Sequence, residues 1–256
     1  MTVEALHRVR ALGFESAWLE RGDADAERLL EAASLADMRI ERFAEKQMLR
    51  SQCQIATGSL VVGGLPSVKA ALRVLGLELP PSTDYPDALT PFLKRRIWRS
   101  TLSAAQATVE QTDRSIFVKP SSTYKRFTGV VIDGEGSWPL TGVPGRTPVW
   151  CSEVVTFQSE HRAFVSNTRI VGVRHYSGAV ELTPDGGTIS SMVGAFGDDA
   201  PNAYAIDVGI VPSGDTALIE VTDGFALESY GLEPVLYLEV LATRWRQLVG
   251  PPAGHA

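Results

Sequence analysis

The spacing of apolar residues changes character along the chain. In the first third, short apolar runs alternate with helical stripes. Phe14 to Leu19 reads as a strand ending in the polar turn Arg21-Gly22-Asp23. From Ala24 to Met38, the residues Ala26, Leu29, Leu30, Ala33 and Leu35 fall near one face of a helix, with Asp23 placed as its N-cap. Arg39 to Phe43 reads as a short strand, and Ser59-Leu60-Val61-Val62 as a buried strand closed by Gly63-Gly64. Pro66 to Leu75 follows as a helix with proline in its first turn. Strands alternating with helices predict a small parallel sheet.

A proline-rich linker, Leu79 to Pro86, ends this region. Ala88 to Leu102 reads as a helix carrying the basic cluster Lys94-Arg95-Arg96. From Ser115 the chain is strand-rich: Ile116 to Lys119, Gly129 to Ile132, Val149 to Phe157, Arg162 to Ser166, Ile170 to Tyr176, Ala203 to Val211 and Ala217 to Val221. Glycine-bearing turns between these runs predict a largely antiparallel sheet. Thr183 to Asn202 reads as a polar loop, and Pro234 to Val249 as a final helix with Val235, Leu238, Leu241, Trp245 and Leu248 at helical spacing. The change of pattern places a domain boundary between residues 98 and 112. Residues 1–105 are then an α/β domain with its linker, and 106–256 a second domain.

Composition narrows the function classes. A chain of 256 residues, 44% hydrophobic and 21% charged, is long enough for one or two ordinary globular domains. Its formal charge of −6 argues against nucleic acid as a partner, because phosphate backbones demand a basic surface. It leaves room for a nucleotide, which needs only a local cluster of cations. Two cysteines, Cys53 and Cys151, are too few for a disulfide framework or a zinc site, and fit a reduced, cytoplasmic setting. No apolar run approaches the ~20 residues that span a bilayer, so no membrane partner is expected. Met1 to Arg10 lacks the apolar stretch and cleavage site of an export signal.

The commonest chemical signatures are missing. There is no GxxxxGK[ST] loop and no GxGxxG after a strand, and Asp133 to Ser137 completes neither. Ser122-x-x-Lys125 lacks the companion motifs of serine acyl-enzymes. Cys151 with His161 or His175 could make a thiol nucleophile, but a cysteine inside an apolar strand is usually a small core residue.

Three segments carry more. In Phe117-Val-Lys119-Pro-Ser-Ser-Thr-Tyr-Lys125-Arg-Phe-Thr-Gly129, a lysine ends an apolar strand and a polar loop leads to a second lysine, a plausible phosphate cradle. In Ser152 to Val165, Glu153 and Glu160 flank an apolar stretch, and Glu160 shares a strand face with Arg162. In Ala205 to Gly224, two apolar strands joined by Pro212-Ser-Gly-Asp215 form a hairpin that sets Asp207 and Glu220 on facing strands. Buried carboxylates are costly, and a divalent cation is one way to offset that cost.

In this order the three segments resemble the ATP-grasp superfamily, most of all its small members found in phages and in bacterial conflict or biosynthetic loci. The resemblance runs from about residue 14 to residue 233 and includes Pro80-Pro81-x-x-Asp84-Tyr85-Pro86 and Arg96. It implies an α+β (α/β) chain: an ATP-grasp fold behind a small N-terminal Rossmann-like pre-ATP-grasp domain. It implies ATP and Mg2+ as cofactors, with Lys119, Lys125 and Arg162 as catalytic cations. Thr128 and Gly129 would lie with Lys125 in a loop over the γ-phosphate, and Arg96 would stand where the family places a second lysine. Glu153, Val154 and Val155 would be the adenine hinge, and Glu160 would hold the ribose. Asp207 and Glu220 would hold magnesium. The family pattern Glu-x-Asn reads Glu220-Val221-Thr222 here, which puts a second metal in doubt and leaves Asp223 as a substitute ligand.

The implied reaction is ligation of a carboxylate to an amine, an amino acid or peptide, through an acylphosphate with release of ADP and phosphate. Arg174, as a carboxylate clamp, and His175 and Tyr176 are candidate substrate contacts. The alternative reading is an ATP-binding sensor or partner protein of the same fold with reduced catalysis, which Thr222 favours.

Overall fold

The computed structural model describes residues 11–16, 24–55, 58–82, 84–121, 127–133 and 140–250. Its first layer is the expected parallel sheet. Strand β1 (Ala11–Glu15) lies between β2 (Arg39–Phe43) and β3 (Ser59–Val62), parallel to both. Helix α1 (Ala24–Leu35) connects the first two strands, the short α2 (Glu45–Leu49) precedes β3, and α3 (Leu65–Val74) follows it. β1 begins earlier than its apolar run suggests and ends at Glu15, short of the expected Leu19; the cap Asp23 lies outside the described residues.

Two of the expected elements are corrected. Ala88 to Leu102 is not a helix. A 3-10 turn, Asp87–Phe92, contains Pro91 and is followed by Lys94 at φ 52°. Strand β4 (Ile97–Thr101) then pairs with β7 (Pro148–Glu153), and helix α4 (Leu102–Thr112) starts at the Thr101 cap. The 105/106 division therefore falls inside α4. The second correction is Thr183 to Asn202, which contains helix α5 (Gly186–Phe196). Asp185 caps it, accepting from the Thr188 N–H at 2.6 Å. Ile189, Met192, Val193 and Phe196 form its buried stripe.

The strand-rich region makes two antiparallel sheets of four strands. One has the order β4-β7-β5-β6, with β5 (Ile116–Pro120) and β6 (Val130–Ile132). Its outer face packs on Leu102, Ala105 and Val109 of α4. The other has the order β11-β10-β8-β9, with β8 (Ser159–Ser166), β9 (Arg169–Gly178), β10 (Ala203–Ile210) and β11 (Thr216–Asp223). α5 covers one face of this sheet through Ala163, Val165, Ile206 and Val208. On the opposite face Phe164, Ala203 and Ala205 join the N-terminal layer and the last helix, α6 (Pro234–Val249), in one core. The Trp245 indole of α6 donates to the Ser59 carbonyl at 2.6 Å, tying the last helix to the first layer. Among the described residues no helix is long and apolar enough to cross a membrane.

Candidate active site

Side chains alternate across a strand, so Glu160, Arg162 and Phe164 share one face of β8. Phe164 is buried under α6, whereas Glu160 and Arg162 open into a cleft of about 770 Å³ between the two antiparallel sheets. The linker crosses its edge, because the Val221 N–H of β11 donates to the Asp84 carbonyl at 2.9 Å.

Lys119 enters from β5. Its ammonium pairs with Glu220 of the other sheet, lies 3.1 Å from an Asp84 oxygen, and sits 4.5 Å above the Tyr85 ring. Burial alone would pull its pKa down, but Glu220, Tyr85 and Asp84 push it up and prevail, so Lys119 stays charged. Tyr85 is held edge-on, at 5.1 Å, by Trp150, the cross-strand neighbour of Lys119.

The hairpin β10–β11 aligns Asp207 with Glu220, and β8 aligns Arg162 with Asp207. Arg162 donates two parallel bonds to the Asp207 carboxylate, each 2.7 Å. Asp207 is only 2% exposed. Desolvation pushes its pKa up, Arg162 pulls it back, and Glu220 across the hairpin adds to the upward push. Arg162 is raised despite burial, because Asp207 accepts both bonds. Two carboxylates that repel one another on a cleft wall suit a cation taking one or two protein oxygens and its remaining ligands from phosphate. Among the described residues no group of three or more His, Cys, Asp or Glu gathers as a metal cage.

The cleft brings together most of the candidate residues: Lys119, Thr128, Gly129, Glu153, Val154, Val155, Glu160, Arg162, Tyr176, Asp207, Glu220, Thr222 and Asp223 all line it. Lys125 lies outside the described residues. Asp223 is already engaged, since Arg244 of α6 donates to both its oxygens at 2.5 and 2.6 Å. Gly129 has a steric role, because a Cβ there would stand 2.4 Å from the Phe117 ring.

Three candidates fall outside the lining. The guanidinium of Arg96 stacks on Trp98 at 4.6 Å, while its backbone N–H donates to the Glu153 carboxylate at 2.9 Å. Arg96 therefore braces the chain at Glu153, the end of β7. Arg174 sits on edge strand β9 and donates to the Gly231 carbonyl at 3.1 Å. His175 turns to His161, ring centroids 5.1 Å apart. Neither histidine meets Cys151, which lies in the other sheet with its thiol pushed up to about 11 by burial.

Four cleft residues escaped the sequence reading of individual positions. Arg95 lines the cleft and donates to the Leu218 and Ile219 carbonyls at 2.7 and 3.0 Å. Tyr85 and Asp84 carry Lys119. Tyr230, after β11, covers the guanidinium of Arg162 at 4.8 Å. The Asp84-Tyr85 dipeptide stood in the quoted linker motif, but nothing in its spacing pointed to Lys119.

Comparison with known proteins decides what this frame is. The model of an ATP-grasp domain family, the second family of its clade, matches residues 92–240. The chain belongs to that family. The ATP-grasp fold is shared with a D-alanine–D-alanine ligase from Bacillus anthracis, at TM-score 0.62 and 10% identity over 94% of this chain and 98% of that one. A RimK domain ATP-grasp protein from Sphaerobacter thermophilus superposes at TM-score 0.55 and 12% identity, over 94% and 100%. A RiPP-associated ATP-grasp ligase from Chryseobacterium gregarium, solved with ADP and a leader and core peptide, does so at 0.53 and 12%, over 96% and 98%. No curated protein sequence matches the chain.

Proposed function

We propose that this ATP-grasp chain is an ATP-dependent carboxylate–amine ligase. A carboxylate oxygen attacks the γ-phosphorus of ATP, ADP leaves, and an amine then displaces phosphate from the acylphosphate to form an amide. The observation that carries this reading is the meeting of Lys119 from one sheet with Glu220 and Asp207 from the other, inside the cleft. Phosphoryl transfer depends on positioning and charge neutralisation rather than on a protein nucleophile. The thiol candidate, Cys151, is buried away from the cleft, in keeping with that chemistry.

The ion pairs support a role for each side chain when nucleotide enters. Lys119 exchanges Glu220 and Asp84 for phosphate oxygens, which frees the Glu220 carboxylate. Asp207 and the freed Glu220 would hold magnesium, which when bound neutralises charge on the transferred phosphoryl group. Arg162 favours the charged form of Asp207 against desolvation and orients its carboxylate through two bonds. Glu153, Val154 and Val155 form the adenine edge, and Glu160 takes the ribose. The N-terminal layer and linker close one end through Leu65 and Leu79 to Ser82, in keeping with a pre-ATP-grasp domain. The acid and amine are amino acids or peptides, a reading supported by the peptide-bound and D-alanine ligase relatives.

The test is ATP consumption with pooled amino acids, followed by mass spectrometry of the products. ADP and phosphate with a new amide are expected. AMP and pyrophosphate would overturn the mechanism. A second reading, an ATP-binding sensor with reduced catalysis, draws on Thr222, which stands where the resemblance implies an asparagine. Magnesium-dependent ATP binding without turnover across acids and amines would favour it.

A further inference from the structure

The segment joining β11 to α6 holds Tyr230 in an uncommon conformation. Tyr230 lies at φ 46° and Gly231 at 74°. Glycine adopts the left-handed region freely, but a bulky aromatic residue does so at a cost, and such residues gather where surrounding structure over-determines them. The surroundings here supply several anchors. Ser229 donates to Asp25 of α1 and accepts from the Gly231 N–H, while the Gly231 carbonyl accepts from Arg174. Leu232 packs where β9 has Gly172, whose missing Cβ would otherwise lie 2.5 Å from it.

This turn places the Tyr230 ring between two groups. Arg162 lies over it at 4.8 Å, and Tyr176 stacks on it at 4.7 Å and 19°. The same segment reaches Arg162 a second time, because Nη1 donates to the Glu228 carbonyl at 3.3 Å. The guanidinium is thus bounded by Asp207 on one edge, a carbonyl on another and an aromatic face. Without the ring, rotation out of the Asp207 plane would be open, and a bidentate pair depends on that plane.

We propose that Tyr230 is a positioning residue of the phosphoryl-transfer site: it holds the Arg162 guanidinium in plane, and Arg162 in turn orients Asp207 opposite Glu220. This rests on the ligase reading for its consequence in catalysis, but not for the clamp itself. Tyr230→Phe keeps the ring, Tyr230→Leu removes it, and Tyr230→Gly removes it while easing the left-handed backbone, which guards against a variant that fails to fold.

The experiment has two readouts on the full-length chain. In the nucleotide-free protein, the Arg162 Nε–H NMR signal should be ring-current shifted and slow to exchange in the wild type and in Tyr230→Phe. In Tyr230→Leu and Tyr230→Gly it should move and exchange with water. With magnesium, ATP and pooled amino acids, kcat for ADP release should fall by about 10²-fold in the leucine and glycine variants, the scale of a lost transition-state contact. ATP affinity should change far less, and the phenylalanine variant should track the wild type. Arg162 Nε–H exchange as slow in folded leucine and glycine variants as in the wild type overturns the proposal, since loss of the ring current alone moves the shift without freeing the guanidinium. A wild type that releases no ADP counts against the ligase reading instead, and the NMR signal still decides the clamp.

Discussion

The two sheets that wall the cleft are built alike, yet they hold charge in different ways. The β4-β7-β5-β6 sheet has strands of three to six residues, and its cleft-facing ammonium, Lys119, finds its partners on other elements, Glu220 and Asp84. The β11-β10-β8-β9 sheet has strands of eight to ten residues and pairs Arg162 with Asp207 within its own register. A cation whose partners lie across a gap can exchange them for phosphate oxygens. A buried bidentate pair inside a sheet is part of the fold. The first wall is thereby suited to capture a ligand, and the second to hold a fixed frame against it.

Charge removal should separate the walls. Asp207→Asn leaves the Arg162 guanidinium buried beside a neutral amide, and breaking such a pair typically costs about 3–5 kcal/mol. Urea unfolding should show a loss of that size, together with loss of magnesium-dependent ATP turnover. Lys119→Ala is next in effect and opposite in kind. Turnover should fall by about 10²-fold or more, as for other lost charge-stabilising contacts. The unfolding midpoint should move little, since the Glu220 side chain is 33% exposed and water can take over its solvation. Equal destabilisation by the two substitutions would erase the distinction between the walls.

That distinction also marks what could be read without coordinates. The hairpin with Asp207 facing Glu220, the shared face of Glu160 and Arg162, and the final helix all follow from local periodicity, which one chain segment carries by itself. The helix wrongly expected at Ala88 to Leu102 shows the limit. Its composition allows a helix, but the edge of β7 and the β11 carbonyls that take Arg95 decide the outcome, and they lie far away in sequence. α5 was hidden by its glycines and serines, although Ile189, Met192, Val193 and Phe196 carry the helical period. Tyr230 offered no signal at all, because its role depends on a backbone turn and on two strands it never adjoins.

Smaller packing changes sharpen the comparison. A Cβ at Gly209 of β10 would lie 2.2 Å from the Phe157 ring, and one at Gly129 beside β6 would lie 2.4 Å from the Phe117 ring. Overpacking of this kind costs roughly 1–3 kcal/mol. Gly209→Ala should sit at the upper end in a thermal melt, because Gly209 is buried in the rigid wall, and Gly129→Ala lower, because Gly129 is only half-buried in the adaptable one. The reverse order would argue that the first wall is the stiffer.

The smallest expected effect is a pH dependence belonging to the second wall alone. His161 on β8 is buried; desolvation chiefly, with His175 beside it, lowers its pKa from the ordinary 6.5, against a Leu182 backbone bond that raises it. The unfolded chain therefore takes the proton first as pH falls. Between about 6.5 and the lower folded value the unfolded state binds more protons, so stability rises with pH across that window. The contribution is complete above it and lost in acid. Substituting His161→Gln should flatten this part of the profile, read as the urea midpoint between about pH 7.5 and 5.5 relative to the wild type. Carboxylates that titrate in both proteins cancel in that difference. Lys119→Ala should keep the wild-type slope, since the histidines among the described residues, His161 and His175, both lie in the second sheet. Parallel profiles for wild type and His161→Gln would show that His161 is solvated well enough to titrate as it does unfolded.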